Sequence, residues 1–293
     1  MAKKQFKILT FNTGLLDIDL FGKSINEPTP YVEKRLGALP NALIRSKADI
    51  VGLQEVYGQK HKEYLISKIK KYYPYHFYCR RKRIFRSDIG LMFFSKFPLT
   101  WKKLLTFKSK TIIEEFVSYK AALEVRIQIN SFKEITLYNV HTTAGDDIRD
   151  QENSSIEKIR GSQIHQIIEN TKNSPIHEPK IILGDINAGP EVSKKDYDIL
   201  KEFGFIDIFS KKHPFSNSKK TWEPKNFLNK NGPFKKSKSQ TIDHVFLRAQ
   251  DVKNFEIKQA KIVFDTPLIK VSPHRKITLS DHYGLLVNLE LKT

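Results

Sequence analysis

An apolar run that stops at polar residues occupies positions 180–187, Lys-Ile-Ile-Leu-Gly-Asp-Ile-Asn. The run predicts a buried β-strand followed at once by Asp185 and Asn187. Because the ligand crevice of an open α/β sheet lies at the carboxyl ends of its strands, this placement indicates a site. Each such residue alone is also typical of a turn or a helix start, but the pattern recurs at several predicted strands: Asn12, Glu55, His141, Asp243, and Asp281 with His282.

Short apolar runs recur along the whole chain and predict an α/β protein. Strands are predicted at residues 6–11, 50–53, 76–79, 89–94, 117–127, 135–140, 180–183, 241–247 and 284–291. Helical spacing predicts amphipathic helices over 31–46, 61–70 and 156–169, with Pro40 expected to kink or split the first. Too little chain follows the lysine-rich segment 211–238 to form a second domain, so we expect one domain over residues 1–293 with a basic loop at about 211–238.

The charge balance favours a polyanionic partner. The 293 residues include 51 Lys and Arg against 32 Asp and Glu, which gives a formal net charge of +19. This excess suits nucleic acid or an anionic membrane surface, although solvated lysines that favour solubility give the same count. The basic residues concentrate in Arg80-Arg-Lys-Arg83 with Arg86, and in nine lysines between Lys211 and Lys238.

Cysteine content and the first residues lead to an expectation about location. The single cysteine, Cys79, excludes an intrachain disulfide and suits a reducing compartment. Lys7 interrupts the apolar segment that a signal peptide would need, and no run reaches the roughly 18 uncharged apolar residues of a membrane-spanning helix. We expect an intracellular, cytoplasmic protein or a secreted effector without a cleaved signal peptide, with peripheral membrane association as an option and no obligate protein partner.

The residues at the strand ends are hard oxygen donors and imidazoles. In the absence of thiolates, such a set indicates magnesium or manganese rather than structural zinc. Magnesium usually takes one or two carboxylates and completes its shell with water and phosphate oxygens, so the expected substrate is a phosphate ester. An imidazole oriented by a carboxylate also supplies a base that can deprotonate water for attack on phosphorus.

Six motifs in a fixed order carry a family resemblance. Over residues 6–291 they resemble the endonuclease/exonuclease/phosphatase superfamily, which includes deoxyribonuclease I-like enzymes and neutral sphingomyelinases. The resemblance implies an α/β fold, a four-layered sandwich of two packed mixed β-sheets with helices on the outer faces, and a magnesium-dependent phosphate ester hydrolase. The motifs are Leu9-Thr-Phe-Asn-Thr-Gly14, Leu53-Gln-Glu-Val56, Asn139-Val-His141, Gly184-Asp-Ile-Asn187, Ile242-Asp-His-Val-Phe246 and Ser280-Asp-His282.

The resemblance assigns metal binding to three matched residues. Glu55 would bind Mg²⁺, Asn12 would assist it, and Asp281 would be a further acidic ligand or an orienting group. Mn²⁺ is the alternative cation.

The resemblance assigns the chemical step to five other residues. Asp185 would position or activate the attacking water, and Asn187 would hold the phosphate. His282, paired with Asp243, would be the general base. His141 would stabilise charge on the phosphoryl oxygens.

Stretches outside these motifs resemble neutral sphingomyelinases. Gly90-Leu-Met-Phe-Phe-Ser-Lys-Phe-Pro98 is similar to one of their conserved runs. Ser118-Tyr-Lys-Ala-Ala-Leu123 is similar to their Ser-Lys-Gly-Ala/Val segment, apart from the inserted Tyr119 and Ala121 in place of Gly, and makes Lys120 a candidate phosphate contact. The favoured hypothesis is sphingomyelinase-like, phospholipase C type cleavage of a phospholipid headgroup by in-line water attack.

Two alternatives stay open. A deoxyribonuclease I-like endonuclease is favoured by Gly184-Asp-Ile-Asn-Ala188, by Ser280-Asp-His-Tyr283 and by a charge of +19 that suits a DNA backbone. A catalytically inactive polyanion-binding module would keep the scaffold and the charge, but the retained acidic and histidine residues argue against it. If the substrate is a lipid, we expect membrane insertion through Phe227-Leu228 or Phe234 in the basic loop.

Overall fold

The fold is built on two β-sheets with helices on both outer sides. The computed structural model describes residues 5–16, 18–20, 23–26, 28–80, 88–130, 133–145, 155–213, 219–232 and 235–292. All numbers of strands and helices given below refer to these ranges.

The first sheet has six strands and a parallel pair at its centre. In spatial order the strands are β13 (Phe255–Val263), β16 (Gly284–Leu291), β1 (Gln5–Leu15), β4 (Ile50–Val56), β6 (Met92–Ser95) and β5 (Tyr75–Tyr78). β1 and β4 are parallel and the other neighbours are antiparallel. Asn12 on β1 lies opposite Gln54 on β4, so both strands end at the same edge.

The second sheet repeats this plan. Its strands are β11 (Phe205–Asp207), β12 (Asp243–Arg248), β10 (Lys180–Asp185), β9 (Lys133–His141), β8 (Ala121–Asn130) and β7 (Leu99–Thr106). Only β9 and β10 are parallel among the described pairs, and their last residues, His141 and Asp185, lie opposite each other. Two hairpins lie outside the sheets, β2 (Ile18–Leu20) with β3 (Lys23–Asn26), and β14 (Ile269–Ser272) with β15 (Arg275–Ile277).

Six α-helices and two 3-10 turns accompany the sheets. The helices are α1 (Val32–Ser46), α2 (Gln59–Ile69), α3 (Ile112–Phe116), α4 (Ser155–Lys172), α5 (Lys194–Glu202) and α6 (Ile208–Lys212), and the 3-10 turns are Phe227–Asn229 and Ala249–Asn254. Within the described ranges, no helix combines the length and the apolar character needed to cross a bilayer.

Three buried apolar clusters define four layers. The middle cluster lies between the sheets and takes residues from both, such as Ile8 from the first and Leu137 from the second. A second cluster packs the first sheet against α1 and α2 through residues such as Leu65. The third packs the second sheet against α4 and α5, with Ile164 among its members. The predicted four-layered α/β sandwich is therefore confirmed.

A buried polar link crosses the middle layer close to the edge where the parallel strands end. Asn139 on β9 donates hydrogen bonds from Nδ2 to the carbonyl oxygens of Leu53 and Met92, each at 3.0 Å. In return, Gln54 Nε2 donates to Asn139 Oδ1 at 2.6 Å. Buried amides that find partners in this way fix one arrangement, because any slip of the sheets would leave them unsatisfied.

All nine predicted strands coincide with observed strands, with shifted ends. The largest error concerns residues 117–127, where the strand begins only at Ala121 because Val117 still closes the short helix α3 by donating its backbone N–H to the carbonyl oxygen of Ile113. The expected split at Pro40 is wrong. Helix α1 continues through this residue because Leu36, Leu39 and Leu43 bury its inner face. Strands β7 and β13 were not predicted, since both are edge strands in which exposed lysines interrupt the apolar residues.

A substitution at Gly184 tests whether β9 and β10 must lie as close together as the structure shows. Its φ is +139°, and a Cβ at this position would lie 2.0 Å from the carbonyl oxygen of Val140. We expect Gly184→Ala to lower the free energy of unfolding by at least about 1–3 kcal/mol in urea titrations, because the strands must separate. Gly37→Ala on α1 is the matched control. A Cβ there meets nothing within 4 Å, so stability should be unchanged or higher. Equal stability of both variants would contradict the close approach.

Candidate active site

The nine sequence-predicted site residues meet at one edge of the sandwich. The parallel pairs of the two sheets end there, and the residues that precede or begin the antiparallel neighbours β12 and β16 reach the same edge. Contacts of 4.0 Å or less connect the whole set. It comprises Asn12, Glu55, Lys120, His141, Asp185, Asn187, Asp243, Asp281 and His282.

Asp185, at the end of β10, is the centre of this network. It is buried, and its Oδ2 accepts a hydrogen bond from Asn12 Nδ2 at 2.9 Å across the two sheets. Its Oδ1 accepts from the backbone N–H of Asn187 at 2.9 Å, and Asn187 Nδ2 donates to the carbonyl oxygen of Thr142 at 3.0 Å. The Asp185 carboxylate is therefore held in one orientation by both sheets.

Glu55 and Asn187 share an unusual backbone conformation. Their φ angles are +60° and +48°, in the left-handed region that few residues other than glycine adopt. Backbone of this kind is held only where the surrounding structure compensates for it, and it concentrates at functional sites. Both residues lie where a strand ends, and both side chains face the shared edge.

Lys120 and His141 form a buried pair. Lys120 Nζ lies 2.6 Å from His141 Nε2, and both side chains are almost fully buried. Burial, together with the charges of Lys120 and His282, holds the pKa of His141 well below 6.5. The imidazole of His141 is therefore neutral at neutral pH and accepts a hydrogen bond from the Lys120 ammonium. The positive charge at this wall belongs to Lys120.

His282 and Asp243 form a second pair with the opposite charge state. His282 Nδ1 donates to Asp243 Oδ2 at 2.9 Å, while His282 Nε2 lies 3.9 Å from Asp185 Oδ2. Burial opposes a charge on His282, but the carboxylates of Asp243, Asp281 and Asp185 together outweigh it and hold the pKa of His282 well above 6.5. Asp243 thus fixes the ring so that Nε2 faces Asp185.

Two acidic groups of the site, Asp185 and Glu55, ionise less readily than ordinary carboxyls. Burial raises the pKa of Asp185 to about 6, and the neighbouring Asp243 charge adds to this effect. Burial also raises the pKa of Glu55 above 4.5, although the Lys120 charge opposes it. A cation that binds between two carboxyl groups in such an environment stabilises their ionised form.

A cavity of about 230 Å³ opens beside these groups. It is large enough for a phosphate group with several waters, and both polar and apolar residues line it. The site residues on its wall are Glu55, Lys120, His141, Asp185, Asn187, Asp281 and His282, and Trp222 and Leu228 are among the others.

The carboxylates offer two positions for a divalent cation. Asp185, Asp243 and His282 present ligand atoms within 4.8 Å of one another, and Asp243 Oδ1 is buried without a hydrogen-bond partner among the described residues. However, Asp243 lies outside the cavity wall and its other oxygen already binds His282. Glu55 and Asp281 face the cavity and keep 22% and 19% side-chain exposure, which leaves room for the waters that Mg²⁺ retains. Carboxylate oxygens are donors that suit Mg²⁺, and its assignment to Glu55 and Asp281 stays a prediction.

The family model for the Endonuclease/Exonuclease/phosphatase family matches residues 9–282. The chain belongs to this family. The order of the six motifs predicted this membership.

One curated relative and several solved structures resemble the chain. A Drosophila melanogaster protein, named as a candidate neutral sphingomyelinase, is 27% identical over 299 residues, which cover 97% of this chain. The chain spans 62% of that relative's length.

The solved structures share the fold. Sphingomyelinase C from Streptomyces griseocarneus has a TM-score of 0.75 and 19% identity, covering 98% of this chain and 99% of its own. A Staphylococcus aureus beta toxin variant with bound magnesium ions has a TM-score of 0.74 and 22% identity, covering 98% and 100%. TDP2 of D. rerio, complexed with a single-strand DNA product, has a TM-score of 0.71 and 17% identity, again covering 98% and 100%.

The sequence did not reveal that residues of the basic loop hold the backbone around Asp243 and Asp281. The backbone N–H groups of Ile242 and Asp243 donate to Thr221 Oγ1 at 3.0 and 3.1 Å. Asn226 Nδ2 donates to the carbonyl oxygens of Ser280 and Asp281, and Asn229 Nδ2 also donates to that of Asp281. These residues are hidden in the sequence because the segment reads as a solvated lysine loop.

The expected insertion into a membrane is wrong for Leu228, while Phe227 is half-buried. Leu228 is buried and lines the cavity, and the Arg275 guanidinium covers the Phe227 ring at 4.3 Å from its centroid. Phe234 lies outside the described residues. The same holds for residues 81–87, so the first basic cluster is described only at the exposed Arg80.

A buried ion pair behind the site was also not predicted. His244 Nδ1 donates to Asp207 Oδ2 at 2.8 Å and Nε2 donates to the carbonyl oxygen of Ala188 at 3.0 Å. Burial opposes the His244 charge, but Asp207 outweighs it and raises the pKa of His244 above 6.5. The imidazolium thereby holds the turn that follows Asn187.

His244→Ala tests this support. The substitution leaves the buried Asp207 carboxylate without its partner and should lower the free energy of unfolding by about 3 kcal/mol or more. Because folding raises the His244 pKa, the stabilising charge is fully present below pH 6.5 and is lost as the pH rises through the folded-state value. The difference between wild type and variant in urea titrations should therefore shrink at alkaline pH. His165→Ala, at an exposed position, is the control, and an equal loss there would contradict the assignment.

Proposed function

We propose that the protein is a Mg²⁺-dependent phosphodiesterase that cleaves a phospholipid headgroup, with sphingomyelin as the first substrate to test. The observation that carries the proposal is one cavity wall that combines Asp185 and His282 with the carboxylates of Glu55 and Asp281. The lipid class is supported by the Drosophila melanogaster relative, whose similarity covers 97% of this chain, and by the shared fold of the Streptomyces griseocarneus sphingomyelinase C.

Glu55 and Asp281 would hold the cation. Asn12 would assist by orienting the Asp185 carboxylate, to which it donates a hydrogen bond. When bound, Mg²⁺ neutralises charge on a phosphoryl oxygen and makes a coordinated water more acidic. Two carboxylates match the number that magnesium usually takes from a protein. Burial raises the pKa of Glu55, and a cation bound beside this carboxylate would oppose that effect.

Asp185 and His282 would handle the proton of the attacking water. Asp185 Oδ2 and His282 Nε2 are 3.9 Å apart, so one water can contact both. His282 must first release its own proton to act as the base. A cation beside Asp281 opposes the carboxylate charges that raise the His282 pKa, and so favours that release.

Lys120, His141 and Asn187 would hold the phosphate. The Lys120 ammonium supplies a fixed positive charge at the cavity wall, and the neutral His141 keeps it in place. Lys120 would therefore stabilise the negative charge on the phosphoryl oxygens, which is the role first expected for His141. Asn187 faces the cavity from the turn after β10 and offers an amide hydrogen-bond donor.

Endonuclease activity is the second candidate, and the net charge of +19 favours it. The fold is shared with TDP2 in complex with single-strand DNA product. Exposed lysines of the basic loop, such as Lys230, would then contact the DNA backbone next to the cavity-lining Asn229.

A paired initial-rate assay separates the two. Wild type is given sphingomyelin in liposomes and, separately, supercoiled plasmid DNA, each with Mg²⁺ or with EDTA. We expect phosphocholine release that disappears in EDTA and returns with excess Mg²⁺, without nicking of the plasmid. Nicking without phosphocholine release would replace the lipid proposal with the nuclease.

Asp185→Asn and His282→Ala provide the matched variants for this assay. Each should reduce the rate by at least about 100-fold, because each removes a group that contacts the reacting water. Gly37→Ala should keep the wild-type rate, since its site on α1 is open. Rates of Asp185→Asn and His282→Ala close to wild type would contradict the assigned site.

A further inference from the structure

Helix α3 presents an exposed apolar surface beside the cavity. The exposed fractions of its side chains are 81% for Ile112, 71% for Ile113 and 47% for Phe116. Ile112 and Phe116 are four residues apart and share one face, with Ile113 next to them. Large aliphatic side chains with such exposure in a contiguous group mark an interaction surface rather than ordinary surface composition.

The polar side chains of α3 are turned away from this surface. Glu114 is buried and accepts hydrogen bonds from Thr111 N–H at 3.1 Å and from Thr143 Oγ1 at 2.8 Å. Glu115 pairs with Lys110 at 3.0 Å, and Lys110 also donates to Tyr119 Oη at 3.1 Å. Both acidic charges are therefore neutralised or hidden, and the outer face of α3 has no negative charge that would repel an anionic surface.

The chain on both sides ties α3 to the wall of the cavity. Ser118 and Lys120, which follow the helix directly, line the cavity. Glu114 holds Thr143, and the next residues, Ala144 and Gly145, line it as well. A surface that covers the outer face of α3 would lie at the mouth of the proposed active site.

We propose that Ile112, Ile113 and Phe116, here called the α3 patch, insert into the interface of a phospholipid bilayer and place lipid headgroups at the cavity. The proposal deepens the lipid phosphodiesterase function and rests on it for the role of the contact. Charge complementarity favours a bilayer as the occupant, because the two acids of α3 are buried or paired, Lys108, four residues before the helix, is exposed, and the chain carries +19. The apolar side chains of the patch supply insertion, and the lysines supply attraction to anionic lipid.

The test measures vesicle binding apart from hydrolysis. His282→Ala serves as the background, and vesicles contain phosphatidylcholine, phosphatidylserine and sphingomyelin. The triple variant Ile112→Ser, Ile113→Ser and Phe116→Ser should lose at least about tenfold in vesicle partitioning, because three apolar side chains no longer insert. The single variants Ile112→Ser and Ile176→Ser form a matched pair, since Ile176 is 72% exposed but lies at the opposite end of the second sheet, next to the start of β10. Only Ile112→Ser should weaken binding.

A soluble substrate separates this inference from the proposed function. In the active protein, the triple variant should cleave bis(p-nitrophenyl) phosphate at the wild-type rate and lose activity only on liposomes. Equal vesicle binding by wild type and triple variant would overturn the inference, as would an equal effect of Ile176→Ser. If vesicle binding depends on the patch but sphingomyelin is not cleaved, the membrane contact stands and the substrate proposal fails.

Discussion

The hydrogen bond between Gln54 and Asn139 is the constraint on which the site depends. It joins β4 of one sheet to β9 of the other at 2.6 Å, inside a mostly apolar layer. Asn139 also binds two backbone carbonyls of the opposite sheet, so the sheets can pack in only one register without leaving buried amides unsatisfied. That register places Asp185 within 2.9 Å of Asn12 from the other sheet.

The sequence revealed the positions of the chemical groups because each lies at the end of an apolar run. Asp185 and Glu55 are visible in this way, and the carboxyl ends of parallel strands must share an edge. The strand and helix patterns, together with the family motifs, were enough to predict four layers. Lys120 came from a local resemblance alone, and its contact with His141 explains why a lysine is buried there.

The remaining features depend on contacts that sequence patterns do not encode. Asn139 and Gln54 are 85 residues apart, and Asp207 and His244 are 37 apart, so neither pair has a local signal. Thr221 and Asn226 are hidden among lysines although they fix Asp243 and Asp281. No helix or strand was predicted for residues 112–116, and the inward turn of Glu114 is what leaves Ile112 and Ile113 outside the core.

The position of the divalent cation tests the proposed mechanism most directly. Anomalous diffraction from crystals soaked in Mn²⁺ would locate it directly. We predict a peak between the Glu55 and Asp281 carboxylates on the cavity wall, and loss of that peak in Glu55→Gln. A peak on Asp243 and His282 instead would contradict the account, because His282 would then be a metal ligand and could not receive the proton of the attacking water.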